Sequence, residues 1–204
     1  GAGIENIKRL KLLTKVKFEK SINLKLKKKN VLVTFHPVTL EIKTSKKHFQ
    51  ELLNSIDELE DTNIIFTKAN SDADGKIINQ MIDKYISKNL DKSIGVASLG
   101  QLNYLSALQY VDFVIGNSSS GLLEAPSFRI GTINIGDRQN GRIKADSVVD
   151  CLPNKKSIKK AIKTVYSKKF QKFLKDVKNP YGDECASKKI IKVLKSVKLE
   201  NILK

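Results

Sequence analysis

The residues best suited to chemistry form a serine-rich turn near the middle of the chain. Gly116-Asn117-Ser118-Ser119-Ser120-Gly121 follows an apolar run and leads directly into a helical pattern that carries Glu124. Main-chain N–H groups are unpaired where a helix begins, and a phosphate group can accept hydrogen bonds from them. The hydroxyls of Ser118 and Ser119 add possible donors, and Gly121 would let the backbone approach a ligand closely. The turn therefore predicts a phosphate site, with Glu124 placed to accept hydrogen bonds from sugar hydroxyls.

The same turn also has a purely structural interpretation, in which a serine caps the helix and Glu124 completes the capping arrangement. Two enzymatic interpretations fail on spacing. The turn does not match the Gly-x-Ser-x-Gly elbow with its single strained serine. The sequence also contains neither the dinucleotide-binding fingerprint nor the P-loop. These patterns argue against a nucleophilic serine, against NAD and against ATP hydrolysis.

Two further polar groups directly follow apolar runs. His36 precedes Pro37 and could donate a hydrogen bond to a phosphate oxygen or move a proton, although a structural histidine is the alternative. Arg138 lies in the glycine-containing loop Gly136–Arg142. Because the arginine fork of donors suits phosphate, we expect Arg138 to be an anion ligand, with a plain surface turn as the alternative.

The remaining candidate loops suggest contacts to a nucleoside. Asn70, Asp72 and Asp74 alternate in a way that hints at a cation site, but the rest of a calcium loop does not follow. We therefore expect no metal and interpret Asn70 as a contact to a base or sugar. The loop Ser98-Leu99-Gly100 is suited to pack a base and to offer it main-chain hydrogen bonds.

The elements that must position these residues alternate along the chain. Apolar, β-branched runs separated by amphipathic helical patterns are typical of a parallel sheet covered on both faces. Right-handed crossovers then give a doubly wound, Rossmann-like α/β domain, in which ligands bind beyond the carboxyl ends of the strands. The predicted strands are Val31–Phe35, Ile64–Thr67, Ile94–Ala97, Phe113–Gly116 and Thr132–Ile135. The predicted helices are two short ones within Ile4–Lys29, then Lys46–Leu59, Lys76–Ser87, Gln101–Tyr110, Leu122–Phe128, Lys155–Tyr166 and Ser187–Val197.

Composition narrows the class of protein. The 204 residues are 40% hydrophobic and 29% charged, which predicts one globular domain, and no apolar run approaches the ~20 residues that span a bilayer. The net charge of +17 comes mainly from scattered lysines, and tryptophan is absent. We interpret the lysines as solvated helix faces instead of a nucleic-acid surface. Cys151 and Cys185 are expected to be reduced and buried, which predicts a cytoplasmic protein.

Taken together, these blocks resemble the hydrolysing UDP-N-acetylglucosamine 2-epimerases of sialic acid biosynthesis. The similarity covers essentially the whole chain, in order. The Gly-Asn-Ser-Ser-Ser-Gly and Gly-Asp-Arg-Gln blocks are specific when they occur together. The matching stretches are Val33–Thr39, Asn79–Asp83, Ser98–Gln101, Gly116–Gly121, Asn134–Gln139 and Asn179–Gly182.

The resemblance implies an enzyme with two Rossmann-like lobes in the glycosyltransferase-B arrangement. Residues 1–204 would be the second lobe, which holds most of the UDP, and the full-length enzyme would be a homo-oligomer. The implied reaction converts UDP-N-acetylglucosamine to N-acetylmannosamine and UDP, by elimination of UDP to a glycal and addition of water. A UDP-sugar is then the small-molecule partner, and no cofactor is needed.

The resemblance also implies roles for individual residues. The family's UDP contacts match Ser118, Ser119 and Arg138 for the diphosphate, Glu124 for the ribose, and Asn70 and Leu99 for the nucleoside. His36 would stand near the diphosphate and the reacting sugar. The family's catalytic carboxylates belong to the first lobe, so we expect the isolated chain to be inactive but able to bind UDP weakly.

Two alternatives keep the same architecture. The first is a hydrolysing epimerase that acts on a UDP-2,4-diacetamido-trideoxy sugar of the legionaminic acid pathway, which would share all the UDP contacts. The second is the nucleotide-binding lobe of a glycosyltransferase, which would show a dependence on an acceptor.

Overall fold

The apolar runs of this chain form parallel strands, and the helical patterns between them form the crossovers. A computed structural model describes residues 2–38, 42–70, 73–182 and 186–197. The strands are β1 (Lys29–Thr34), β2 (Thr62–Thr67), β3 (Ser93–Val96), β4 (Phe113–Gly116), β5 (Gly131–Ile135) and β6 (Val148–Cys151). They pair in parallel in the order β3-β2-β1-β4-β5-β6. The predicted doubly wound, Rossmann-like layer is confirmed.

The helices cover both faces of this sheet. They are α1 (Ala2–Arg9), α2 (Lys15–Ile22), α3 (Ile42–Ile56), α4 (Ala73–Ser87), α5 (Gly100–Ala107), α6 (Ser120–Leu123), α7 (Lys155–Tyr166), α8 (Lys168–Phe173) and α9 (Ala186–Ser196). Two short 3-10 helices span Ala125–Phe128 and Leu174–Asp176. Within the described ranges, none of these helices has the length and apolar character that crossing a membrane requires.

The hydrophobic core lies in two layers, one on each face of the sheet. Successive residues of β1 illustrate the division. Val31 and Val33 pack in the layer formed with α3, α4 and α7, whereas Leu32 packs in the layer formed with α2 and α5. Side chains of a strand point alternately to opposite faces, so a strand buried on both sides must be apolar throughout. This explains the uninterrupted apolar runs of the sequence.

Three local features differ from the predictions. The sequence pattern does not predict β6, because its four residues lie half-buried or exposed at the edge of the sheet and include Asp150. Ile77 and Leu102, which lie in the apolar patterns of the predicted helices Lys76–Ser87 and Gln101–Tyr110, are 40% and 38% exposed. The predicted helix Leu122–Phe128 is divided into α6 and a 3-10 helix. Pro126 stands where it would deny the α-helix a donor and obstruct its preceding turn.

The two cysteines also require a correction. Cys151 is free but only half-buried, so the expectation that it is buried is wrong for this residue. Burial, together with the nearby Asp150 carboxylate, raises the pKa of the Cys151 thiol to about 12. Because the thiolate is the reactive form, Cys151 is a poor nucleophile. Cys185 lies outside the described residues.

The sheet order reverses between β1 and β4, and the backbone at the end of β4 leaves no room for a side chain against β1. Gly116, the last residue of β4, has a φ of +143°. A Cβ atom at this position would lie 1.9 Å from the carbonyl oxygen of Thr34. The same carbonyl accepts a hydrogen bond of 3.1 Å from the main-chain N–H of Asn117. Glycine is therefore required at position 116, and the chain leaves β4 directly against the end of β1.

We expect Gly116→Ala to lower the free energy of unfolding by about 4 kcal/mol or more, because the added methyl group overlaps a main-chain oxygen. Gly141→Ala is the matched control. Gly141 also has a positive φ, of +78°, but within the described ranges no atom beyond its two chain neighbours lies within 4 Å of its missing Cβ. Backbone strain alone should cost the control about 1–2 kcal/mol. Urea unfolding measures both variants, and equal losses would contradict the close approach.

Candidate functional site

The carboxyl ends of β1, β2, β3 and β4 surround one cavity of about 490 Å³, which we call the first cavity. This volume lies in the range of small-molecule sites, and its position at the reversal of strand order is where parallel sheets bind ligands. The first cavity brings together five residues that the sequence analysis selected: His36, Asn70, Leu99, Ser118 and Glu124. Ser119, Gly121 and Arg138 do not line it.

Asn117 holds the serine-rich turn to the end of β1. Its Nδ2 donates to the carbonyl oxygen of His36, and its Oδ1 accepts from the main-chain N–H of His36, both at 2.7 Å. Only 1% of Asn117 is exposed. Two hydrogen bonds from one rigid, buried amide fix His36 and the turn relative to each other. We call this pair of bonds the Asn117–His36 bridge.

The loop after β5 also reaches this turn. The carbonyl oxygen of Asn117 accepts a hydrogen bond of 3.0 Å from Nη1 of Arg138 and one of 2.7 Å from Nε2 of Gln139. Gln139 is buried, whereas the Arg138 side chain is exposed. A guanidinium group has five N–H donors, and this contact uses one of them. Arg138 is thus held beside the serine-rich turn with donors left for an anion.

The serine-rich turn presents hydroxyl and N–H donors, but not a long helix. Ser119 stands at the N-cap position of α6, and its hydroxyl makes no capping hydrogen bond. Within the described part of the chain, the main-chain N–H groups of Ser119 and Gly121 have no acceptor. Because α6 has only four residues, its dipole contributes little. Any attraction for an anion here therefore depends on the individual donors and on Arg138.

Gly121 is a glycine for a reason that the sequence does not reveal. A Cβ atom at this position would lie 2.6 Å from Cγ2 of Thr132 in β5. The hydroxyl of Thr132 also donates to the carbonyl oxygen of Gly121 at 2.7 Å. Gly121 therefore lets α6 pack against the sheet. Close approach to a ligand, the predicted role, is not needed to explain this residue.

Glu124 offers the first cavity an unused acceptor. Its Oε2 atom is buried and has no hydrogen-bond partner among the described residues. Burial raises the pKa of the Glu124 carboxyl group to about 7, because the charged form loses solvation. A buried carboxyl oxygen without a partner is costly, and hydroxyl groups of a ligand would satisfy it.

The sequence analysis did not select several other residues that line the first cavity. The hydroxyls of Thr34 and Thr67 are 2.7 Å apart across β1 and β2, and Tyr104 bonds to Ser120. Lys68 also lines the cavity, with its ammonium group bonded to Asp83 at 2.8 Å. Tyr104 could have been found from the sequence, because it is a polar group within the apolar pattern of α5. The two threonines could not, because threonine is common in strands.

A second cavity of about 560 Å³ lies on the other face of the sheet, where Asn117 and Phe35 meet the ends of β5 and β6. Arg138, Glu124 and the other predicted site residues do not line it. No cluster of three metal-ligating side chains occurs in the described ranges. The possible cation loop is not tested, because Asp72 lies outside those ranges.

Residues 2–195 match the family described as UDP-N-acetylglucosamine 2-epimerase. The chain belongs to this family. The match spans every element that forms the first cavity.

Sequence similarity to individual relatives is consistent with membership of this family. The chain is 41% identical over 198 residues to GDP/UDP-N,N'-diacetylbacillosamine 2-epimerase (hydrolyzing) of Campylobacter jejuni, covering 97% of this chain and 51% of that protein. It is 36% identical to polysialic acid biosynthesis protein P7 of Escherichia coli, covering 95% and 49%. The chain therefore spans about half the length of these relatives.

A solved structure gives the same result for the fold. The UDP-GlcNAc 2-epimerase from Neisseria meningitidis, bound to UDP-GlcNAc, aligns with a TM-score of 0.67 and covers 94% of this chain and 51% of that one. At 16% identity this likeness bears on the fold alone. The chain has the fold of about half of the longer structure.

We expect Glu124→Gln to stabilise the protein at pH 8 but not at pH 5. The folded pKa of about 7 lies above the ordinary value of 4.5, so the folded state holds the proton more tightly. The free energy of unfolding therefore falls as pH rises from about 4.5 to 7, and glutamine removes this fall. Allowing for partial exposure of the side chain, the gain at pH 8 should be about 1–2 kcal/mol.

Urea unfolding at the two pH values measures this effect. Glu60→Gln, at an exposed glutamate, is the control and should change stability equally at both. A Glu124→Gln variant with no pH-dependent gain would show that the carboxyl group is solvated.

Proposed function

We propose that this chain binds the UDP portion of a UDP-sugar and forms the nucleotide-binding half of a hydrolysing UDP-sugar 2-epimerase. The observation that carries the proposal is the first cavity, which gathers Leu99, Glu124, Ser118 and His36 from separate loops. Membership of the epimerase family supports the class of reaction and favours it over the glycosyltransferase alternative.

The polarity of the first cavity suits UDP in one orientation. The uracil would lie against the buried Leu99, near the exposed Asn70. The ribose hydroxyls would donate to Oε2 of Glu124, which otherwise has no partner in the described chain. Ionised Glu124 accepts such bonds better than the protonated form, so binding should lower its pKa and release a proton.

The diphosphate would then lie over the serine-rich turn. The hydroxyl of Ser118 lines the first cavity, and the unpaired N–H groups of Ser119 and Gly121 follow it in the turn. Arg138 is held beside the turn by its bond to Asn117 and would supply a positive charge. Phosphate oxygens only accept hydrogen bonds, and every group proposed here donates.

These donors would act during elimination of UDP. The bond between sugar C1 and the diphosphate oxygen breaks, and its electron pair leaves with the diphosphate. The proton on C2 passes to a base, which we assign to the part of the enzyme outside this chain. Fixed donors stabilise the developing negative charge more strongly than the bound substrate, which lowers the barrier. His36 would donate to the departing diphosphate, and water then adds to the glycal.

The names of the relatives bear on which sugar the UDP-sugar substrate carries. The relative at 41% identity is named for N,N'-diacetylbacillosamine and the one at 36% for polysialic acid biosynthesis. This difference supports a UDP-2,4-diacetamido-trideoxy sugar as the substrate to test first and UDP-N-acetylglucosamine as the second. The cytoplasmic location, the absence of a cofactor and the homo-oligomeric full-length enzyme remain predictions.

We expect this chain to bind UDP at micromolar to millimolar concentration, and Ser119→Ala and Arg138→Ala each to weaken binding about tenfold or more. A hydrogen bond to a charged group contributes about 1.5–3 kcal/mol. Arg142→Ala is the matched control, because it removes an equal charge from the same exposed loop. Calorimetric titration measures all four proteins. Undiminished binding by both test variants, or an equal loss in the control, would contradict the assigned diphosphate contacts.

The isolated chain should bind both UDP-sugars with affinities similar to that for UDP, and it should release no UDP from either. The reason is that the proposed base and most contacts to the sugar ring lie outside this chain. A coupled assay for free UDP tests this expectation. Turnover by the chain alone would show that the base is among these 204 residues.

A further inference from the structure

We propose that Tyr104 is a positioning residue that acts through Ser120 and makes the Ser118 hydroxyl a donor to the diphosphate. The proposal rests on the proposed function, because it concerns how the diphosphate of UDP is held.

Three hydroxyl groups form a chain along the wall of the first cavity. The Tyr104 oxygen lies 2.5 Å from Oγ of Ser120, which in turn lies 3.1 Å from Oγ of Ser118. Oγ of Ser118 also accepts a hydrogen bond of 3.4 Å from the main-chain N–H of Ser120. All three residues line the first cavity, and Tyr104 comes from a different element than the two serines.

The direction of the protons in this chain follows from the chemistry of the hydroxyls. Each hydroxyl has a single proton, and a phenol donates more readily than an aliphatic alcohol because it is more acidic. The geometry allows either oxygen to be the donor in each contact, and acidity favours Tyr104 as the donor to Ser120. In the proposed arrangement Ser120, which accepts from Tyr104, donates its own proton to Ser118. Ser118 then accepts two hydrogen bonds, from the hydroxyl and the N–H of Ser120. Its own proton is left to donate into the first cavity.

The surroundings keep Tyr104 in the donor form. Burial raises the pKa of its hydroxyl above the ordinary range and outweighs the lowering caused by the hydrogen bond to Ser120, and the nearby Glu124 carboxyl group raises the pKa further. Tyr104 thus remains protonated at every pH at which the protein is expected to work. Its helix is fixed by Leu105 and Leu108, which are 3% and 0% exposed.

This arrangement matches a ligand that can only accept hydrogen bonds. In a chain of hydroxyls each donated bond strengthens the next one, so the terminal donor is stronger than an isolated serine. Without the phenol proton, Ser120 can donate elsewhere and the Ser118 proton is no longer directed at the ligand. Tyr104 would therefore affect the binding of the diphosphate but not the binding of the nucleoside.

Titration of the whole chain with UDP and with uridine, followed by NMR, tests the proposal. We expect Tyr104→Phe to weaken UDP binding about tenfold, at the upper end for one neutral hydrogen bond, and to leave uridine binding unchanged. Ser120→Ala should have the same selective effect. The double variant should bind UDP no more weakly than Ser120→Ala alone, because both changes break one chain. Tyr110→Phe is the control, since that hydroxyl donates to Leu13.

The outcomes distinguish failure of the positioning role from failure of the proposed function. If Tyr104→Phe weakens UDP and uridine equally, or if its effect adds to that of Ser120→Ala, the positioning role is overturned while the UDP site stands. If Tyr110→Phe has the same selective effect, the loss is not specific to the hydroxyl chain and the role is also overturned. If the unmodified chain binds no UDP, the proposed function fails and this inference fails with it.

Discussion

The close contact between the ends of β1 and β4 is the constraint on which the rest of the site depends. Gly116 brings β4 against the carbonyl oxygen of Thr34, and the Asn117–His36 bridge then fixes the two loops that leave these strands. The arrangement sets the direction of the serine-rich turn. It also stands between the two cavities, because Asn117 lines the second one while His36 and Ser118 line the first. His36 and the serines cannot move independently.

Beyond this constraint, the first cavity combines an unpaired acceptor with several hydrogen-bond donors. Glu124 provides a buried acceptor without a partner in the described chain, whereas Ser118 and the N–H groups after it provide donors. Arg138 adds the positive charge beside the donors. A nucleoside diphosphate offers complementary groups, with hydroxyls on the ribose and acceptors on the phosphates. This complementarity supports the proposed UDP site and is consistent with the family to which the chain belongs.

Much of the fold and of the candidate site could be predicted from the sequence, because the patterns that define them are local. The apolar runs defined five strands, and polar residues that directly follow such runs must meet at one edge of a parallel sheet. His36, Asn70, Leu99, Ser118 and Glu124 were found together for that reason. Features that depend on tertiary contacts could not be predicted. The strand β6 has too little apolar sequence, Gly121 is explained by its contact with Thr132, and the proposed role of Tyr104 depends on its contact with Ser120.

The most direct test of the central claim is a crystal structure of the chain soaked with UDP. The account predicts that uridine occupies the first cavity, with the ribose hydroxyls on Glu124. The diphosphate should lie on Ser118 and Ser119 with Arg138 beside it. Electron density for UDP in the second cavity, across the Asn117–His36 bridge, would contradict the account.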